Sequence, residues 1–156
     1  MEGPRINADE GFSCSKESLL QRELTGSIIG CFYRVYNELG FGFLESVYRR
    51  AMFYELIDER LIVDAELPID VWCRGRKVGH FRADLLIERK VIVEIKCAQS
   101  LIASDRRQLV NYLKATGIEV GLLLHFGPKA AYERVVYTKR SARDNPTLAD
   151  DKSRSA

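Results

Sequence analysis

Apolar side chains recur at Leu24, Ile28, Phe32, Val35 and Leu39, the spacing of one helical face, and Gly40-Phe41-Gly42 follows where a helix must stop. The pattern predicts a first helix from Arg22 to Leu39. A second stripe, Leu44, Val47, Ala51 and Tyr54, predicts another from about Phe43 to Arg60, with Glu45 and Tyr48 beside it. The period then shortens to two. Ile62 to Ala65 and Glu66 to Cys73 read as extended segments around Pro68, and Arg74-Gly75-Arg76 reads as a turn into Lys77 to Phe81. Helical spacing returns at Ile102, Arg106, Leu109 and Leu113, closed by Gly117 after Thr116. Two strands, Ile118 to Phe126 and Glu133 to Thr138, complete the order. Two helices, a run of strands, one helix and two more strands predict an α/β domain with a mixed sheet flanked by helices.

Residues 81 to 97 are the informative stretch, two apolar strands joined by the charged turn Glu88-Arg89-Lys90. Side chains alternate along a strand, so Leu85, Ile87, Val91, Val93 and Ile95 form a core face, while Glu94 and Lys96 share the other. If the turn has three residues, Ile87 pairs with Val91, and counting back sets Asp84 directly opposite Glu94. Like charges so placed are destabilising, and a bound cation is the simplest compensation. An amphipathic hairpin with a Glu94–Lys96 surface pair would give the same letters without chemistry. Leu86 and Ile92 on the charged face favour a second layer that covers part of this side and leaves the charges at one end.

The composition is that of an ordinary single domain: 156 residues, 46% hydrophobic and 29% charged, with a formal net charge of +2. So small an excess neither identifies nor excludes a nucleic-acid partner. No apolar run has the length of a membrane span and the first residues lack the apolar core of a secretory signal, so a cytoplasmic location is expected. Cys14, Cys31, Cys73 and Cys97 are too widely spaced for a Cys-x-x-Cys metal site and read as reduced thiols. Residues 1–20 and 141–156 are polar and aperiodic and read as disordered tails around a domain at 21–140.

Gly42-Phe43-Leu44-Glu45-Ser46-Val47-Tyr48, Arg82-Ala83-Asp84-Leu85, Val93-Glu94-Ile95-Lys96 and Gln108-Leu109-Val110-Asn111-Tyr112 follow one another on these predicted elements. In that order they resemble the GxxExxY family, a compact branch of the PD-(D/E)XK nuclease superfamily, over about Leu24 to Tyr137. The Gln-x-x-x-Tyr helix is similar to that of RecB-like nucleases in the same superfamily. One departure is Phe41, where the family usually carries proline between the two glycines, and it bears only on the turn.

The resemblance implies a restriction-endonuclease-like core and hydrolysis of phosphodiester bonds in nucleic acid, with DNA preferred. It implies that Asp84 and Glu94 are metal carboxylates, that Ile95 adds its backbone carbonyl, and that Glu45 arrives from a helix as a third carboxylate. Such oxygen donors suit Mg2+ or Mn2+. Lys96 would then position the attacking water and stabilise charge on the phosphate, without being a ligand. A noncatalytic accessory module that keeps the fold and binds nucleic acid or a protein partner is the rival reading. Oligomeric state is open.

Several residues have two open roles. Gln108 and Tyr112 share a helix face, facing either the site or a packing contact over the sheet. Without the family match, Glu45 is an exposed carboxylate near a helix N-terminus, which the helix dipole favours. Arg82 and His80 share the face of Asp84 by strand alternation, Arg82 as phosphate contact or neutralising ion pair, His80 as a structural strand-end side chain. His125 has no partner identifiable from the sequence. Trp72 with Arg74, Arg76 and Lys77 makes an aromatic and basic hairpin tip, a nucleic-acid contact or an exposed charged turn.

Overall fold

A computed structural model describes residues 13–138, so the expected tails lie largely outside the described residues. Helix α1 (Ser13–Leu39) and helix α2 (Glu45–Asp58) precede three strands, β1 (Val63–Cys73), β2 (Arg76–Ile87) and β3 (Val91–Lys96). Helix α3 (Ala103–Thr116) leads to β4 (Val120–Phe126) and β5 (Ala130–Val136). The five strands form one sheet in the order β1-β2-β3-β4-β5. Only β3 and β4 are parallel, joined by the α3 crossover, and the other neighbours are antiparallel. This is the expected mixed sheet, with a restriction-endonuclease-like core. Among the described residues no helix is long and apolar enough to cross a membrane.

Each face of the sheet has its own core. Ile28, Phe32 and Val35 of α1 and Tyr48, Met52 and Leu56 of α2 pack against Leu85, Ile87, Val91, Val93 and Ile95. Leu109, Tyr112 and Leu113 of α3 pack on the opposite face against Leu86, Ile92 and Leu123. Gly121 sets that approach: a Cβ there would lie 2.8 Å from the Leu109 side chain.

The buried stripe of α2 differs from the expected one. Leu44 and Tyr54 are exposed, Val47 largely so, and the face is rotated onto Tyr48, Met52 and Leu56. Apolar residues surround this helix, so its periodicity does not select a face, and packing against the sheet does. Tyr48 has a second task. Its hydroxyl donates to the Gly40 carbonyl at 2.6 Å and its ring stacks on Phe126 at 4.2 Å, holding the turn whose Gly40 and Gly42 have φ of +68° and +119°.

The strands before the hairpin also differ. The two segments expected around Pro68 are one strand, and Lys77 to Phe81 continues without a break into Ile87. These long strands change faces midway. Val63, Leu85 and Ile87 join the α1/α2 core, whereas Leu67, Ile69 and Ala83, an even number of residues away, join the α3 core. The reversal falls where Glu66 has φ of +54° and where the β1–β2 pairing passes over Glu66 and Asp84. Beyond it the outer hairpin wraps towards α3.

Candidate active site

The β2–β3 ladder has the expected three-residue turn and register, Ile87 opposite Val91 and Leu85 opposite Val93. At the next position it ends, because β2 turns away at the face reversal. The backbone groups released there are taken by side chains. The Asp84 amide donates to Glu94 Oε1 at 3.0 Å, and the Ile95 amide donates to Asp84 Oδ2 at 2.8 Å. The two carboxylates are thus interlocked across the gap, and both are buried. The Glu94 carboxyl is pushed up from 4.5 to about 8, by burial first and then by the Asp84 charge.

Lys96 follows on the same strand face, half-buried. Its Nζ donates to Gln108 Oε1 at 3.0 Å, and Gln108 Nε2 donates to the Tyr112 hydroxyl at 2.8 Å. Of the two roles open to Gln108 and Tyr112, the geometry combines both: Tyr112 is buried against the sheet and also fixes the amide that holds Lys96. Burial, then the charge of Glu94, raises the Tyr112 phenol above its ordinary value. Glu45 opens α2, where the positive end of the helix favours an anion. Its side chain is exposed, yet partial desolvation and then the Asp84 charge hold its carboxyl above the ordinary range. Cys97 is no candidate nucleophile, since burial pushes its thiol up to about 11.

Two charged residues join this group without having been anticipated. Arg49 lies 3.3 Å from Asp84 Oδ1 and 3.7 Å from Glu66. Asp105 lies 3.9 Å from the Lys96 ammonium, while its other oxygen accepts the Ile102 amide at 3.0 Å. A signal for both existed in helical spacing: Arg49 is one turn after Glu45, and Asp105 one turn before Gln108. Four carboxylates, Glu45, Asp84, Glu94 and Asp105, therefore face two cations, Arg49 and Lys96. Among the described residues no three carboxylate, imidazole or thiol groups are already spaced as a metal cage. The donors present are nonetheless oxygen atoms carrying excess negative charge, the chemistry a hard cation takes.

Arg82 and His80 are not brought to this centre. The face reversal at Asp84 breaks the alternation that placed all three together. Arg82 stands exposed opposite Pro68, and His80 pairs through Nδ1 with Asp70 at 2.6 Å. His125 does have a partner: Nε2 meets the Ala98 carbonyl at 2.6 Å, pinning the segment that leaves Lys96. Gly127 makes room for that ring, since a Cβ there would lie 2.5 Å from it. Cys31, Cys73 and Cys97 are free thiols.

A family model described as the PD-(D/E)XK nuclease superfamily matches residues 22–136. The crystal structure of SSO0001 is similar in fold, with a TM-score of 0.51 and 20% identity over 69% of this chain and 60% of that one. The crystal structure of an alkaline exonuclease, LHK-Exo from Laribacter hongkongensis, aligns with a TM-score of 0.47 and 16% identity over 66% of this chain and 60% of its own. The chain thus spans 60% of the length of each of these two structures. No curated protein matches the chain.

Proposed function

We propose that this chain, which belongs to the PD-(D/E)XK nuclease superfamily, is a divalent-cation-dependent nuclease of the GxxExxY type whose domain occupies residues 21–140. DNA is the preferred substrate by analogy with the superfamily. The observation that carries this reading is the interlocked, buried Asp84–Glu94 pair with the Lys96 ammonium beside it. A merely structural hairpin has no use for two buried carboxylates facing each other where its ladder ends.

Asp84, Glu94, the Ile95 carbonyl and Glu45 would hold Mg2+ or Mn2+, which is hard and selects oxygen donors. Bound there, such a cation supplies Lewis-acid polarisation of a phosphoryl oxygen and lowers the pKa of water. The chain's own contribution centres on Lys96. Gln108 and Asp105 hold its ammonium, so it is oriented before substrate arrives, and it carries the attacking water and offsets charge that builds on the phosphate. Hydrolysis forms a bond from the water oxygen to phosphorus as the bond to the departing nucleotide oxygen breaks. Arg49 pairs with Asp84 and so limits the negative charge of the carboxylate pair.

Cleavage of single- and double-stranded DNA and RNA, assayed with Mg2+, with Mn2+ and with EDTA, tests the reading. The wild type is expected to cut only with a divalent ion. Lys96→Ala should abolish cutting while divalent affinity, measured calorimetrically, stays within about threefold, because Lys96 is no ligand. Equal cutting by both proteins would refute the site, and a wild type that binds nucleic acid but never cuts would favour the accessory-module reading.

A further inference from the structure

Beyond the carboxylates the face reversal creates a second feature, a groove of about 830 Å³ between the outer β1–β2 hairpin and α3. Its volume is that of a ligand-binding cleft. Gln108 and Tyr112 line one end, so the groove opens directly onto the side chains that hold Lys96. Trp72 and Phe81 line the hairpin side and are 62% and 46% exposed, unusual for rings of this size. Their presentation is built into the backbone. A register shift between Val71 and Trp72 breaks strand alternation, so Val71 and Trp72 both line the groove. Gly79 lacks the Cβ that would stand 3.1 Å from the Phe81 ring, and that ring reaches Tyr112 at 5.9 Å between centroids.

The groove's charges are also sorted. Asp70 is tied to Lys77 and His80, and Asp105 to Lys96 and the Ile102 amide. Among the described residues Arg107 is exposed with no ion-pair partner, and Lys114 has none either, its ammonium lying 5.4 Å from the Tyr137 ring centroid. The charge left to a ligand is positive.

We propose that this groove seats a single-stranded segment of nucleic acid, its bases stacking on Trp72 and Phe81 and its phosphates meeting Arg107 and Lys114, and feeds it to Lys96. The occupant's chemistry deepens the nuclease reading and rests on it. Exposed aromatic faces suit unstacked bases, whereas a duplex keeps its base faces against one another and offers only edges and backbone.

Trp72 is the only tryptophan of the chain, so its fluorescence reports the groove directly. The full chain is titrated in EDTA with oligothymidylate, with oligouridylate and with a blunt DNA duplex. Saturable quenching by a single strand but not by the duplex supports the proposal, and the tighter of the two strands identifies the sugar. Phe81→Ala, which retains the reporter, should weaken binding about tenfold, as should Trp72→Ala read by anisotropy of a labelled strand, with partial rescue in Trp72→Phe. Equal quenching by the duplex, no quenching by either single strand, or wild-type affinity in both alanine variants overturns it. A parallel cleavage assay with Mg2+ separates the two readings. Variants that bind and cut like wild type overturn the groove and leave the nuclease, whereas a wild type that binds single strands through Trp72 and Phe81 but never cuts overturns the nuclease and leaves the groove.

Discussion

Glu94→Gln isolates the electrostatic tension at the centre of the site. The substitution keeps the shape of the side chain and an oxygen able to accept the Asp84 amide, and it removes a carboxyl pushed up from 4.5 to about 8 by burial and by Asp84. A carboxyl raised on folding binds its proton more tightly in the folded state. Its contribution is therefore fully present below about pH 4.5 and is lost as pH rises through about 8. Each unit across that window is worth about 1.4 kcal/mol, so the wild type should lose on the order of 5 kcal/mol relative to the variant between pH 4.5 and pH 9 without metal. A domain of this size has roughly 5–15 kcal/mol of stability in all, so the loss is large.

Urea unfolding followed by circular dichroism, in EDTA at steps from pH 5 to pH 9, measures it. The two proteins should differ little at pH 5, and the variant should be several kcal/mol more stable at pH 9. Mg2+ at about 100 times its Kd should recover roughly 2–3 kcal/mol of that loss in the wild type at pH 9 and leave the variant nearly unchanged, because only the carboxylate pair gains from a cation. Parallel stability curves across this range, or a variant less stable than wild type at pH 9, would refute the reasoning.

Asp84→Asn should remove most of the Mg2+-induced rise in melting temperature, which in the wild type corresponds to roughly 2–3 kcal/mol once the ion is at about 100 times its Kd; scanning calorimetry with EDTA and with Mg2+ checks this. Gln108→Ala unmoors the Lys96 ammonium and Tyr112→Phe removes the acceptor that fixes Gln108, so each should slow cleavage by about 10- to 100-fold with divalent affinity unchanged. Single-turnover rates beside metal titrations would show it, and unaltered rates would leave both residues a packing role. Gly127→Ala drives a Cβ to 2.5 Å from the His125 ring and 2.9 Å from the Ala98 carbonyl, and should cost roughly 1–3 kcal/mol by chemical denaturation, with part of the loss recovered in a His125→Ala, Gly127→Ala double variant.

What the sequence made legible is what depends on local period. Alternation and turn length put Asp84 opposite Glu94, because a three-residue turn permits one register, and Glu88 and Arg89 supply its left-handed residues at φ of +51° and +55°. Spacing within α3 put Gln108 and Tyr112 on one face, and the apolar repeat of α1 marked Ile28, Phe32 and Val35 as core. Arg49 and Asp105 stayed hidden for a different reason. Their one-turn spacing from Glu45 and Gln108 marks only a shared helix face; their roles are ion pairs to residues on other elements, and spacing does not say whether that face meets solvent or Asp84.

The face reversal was the larger omission, and it connects the parts of the site. Glu66 adopts φ of +54° without being glycine or asparagine, so no turn signal marks it, and the boundary expected between Ala65 and Glu66 falls beside it as a break between segments instead of a change of face within one strand. Had β2 continued straight, the Asp84 amide would face β1 in the ladder, as the Glu88 amide does when it bonds to the Ile62 carbonyl, Glu94 would have no backbone partner, and Arg82 and His80 would share the face of Asp84. Because β2 leaves instead, that amide receives Glu94, the Ile95 amide receives Asp84, and the outer hairpin carries Trp72 and Phe81 over α3. The irregularity at Glu66 thus assembles the carboxylate pair and, together with the register shift between Val71 and Trp72, the groove that leads to it. It follows that the two should respond together to a change at Glu66 and separately to changes at Glu94 or Trp72.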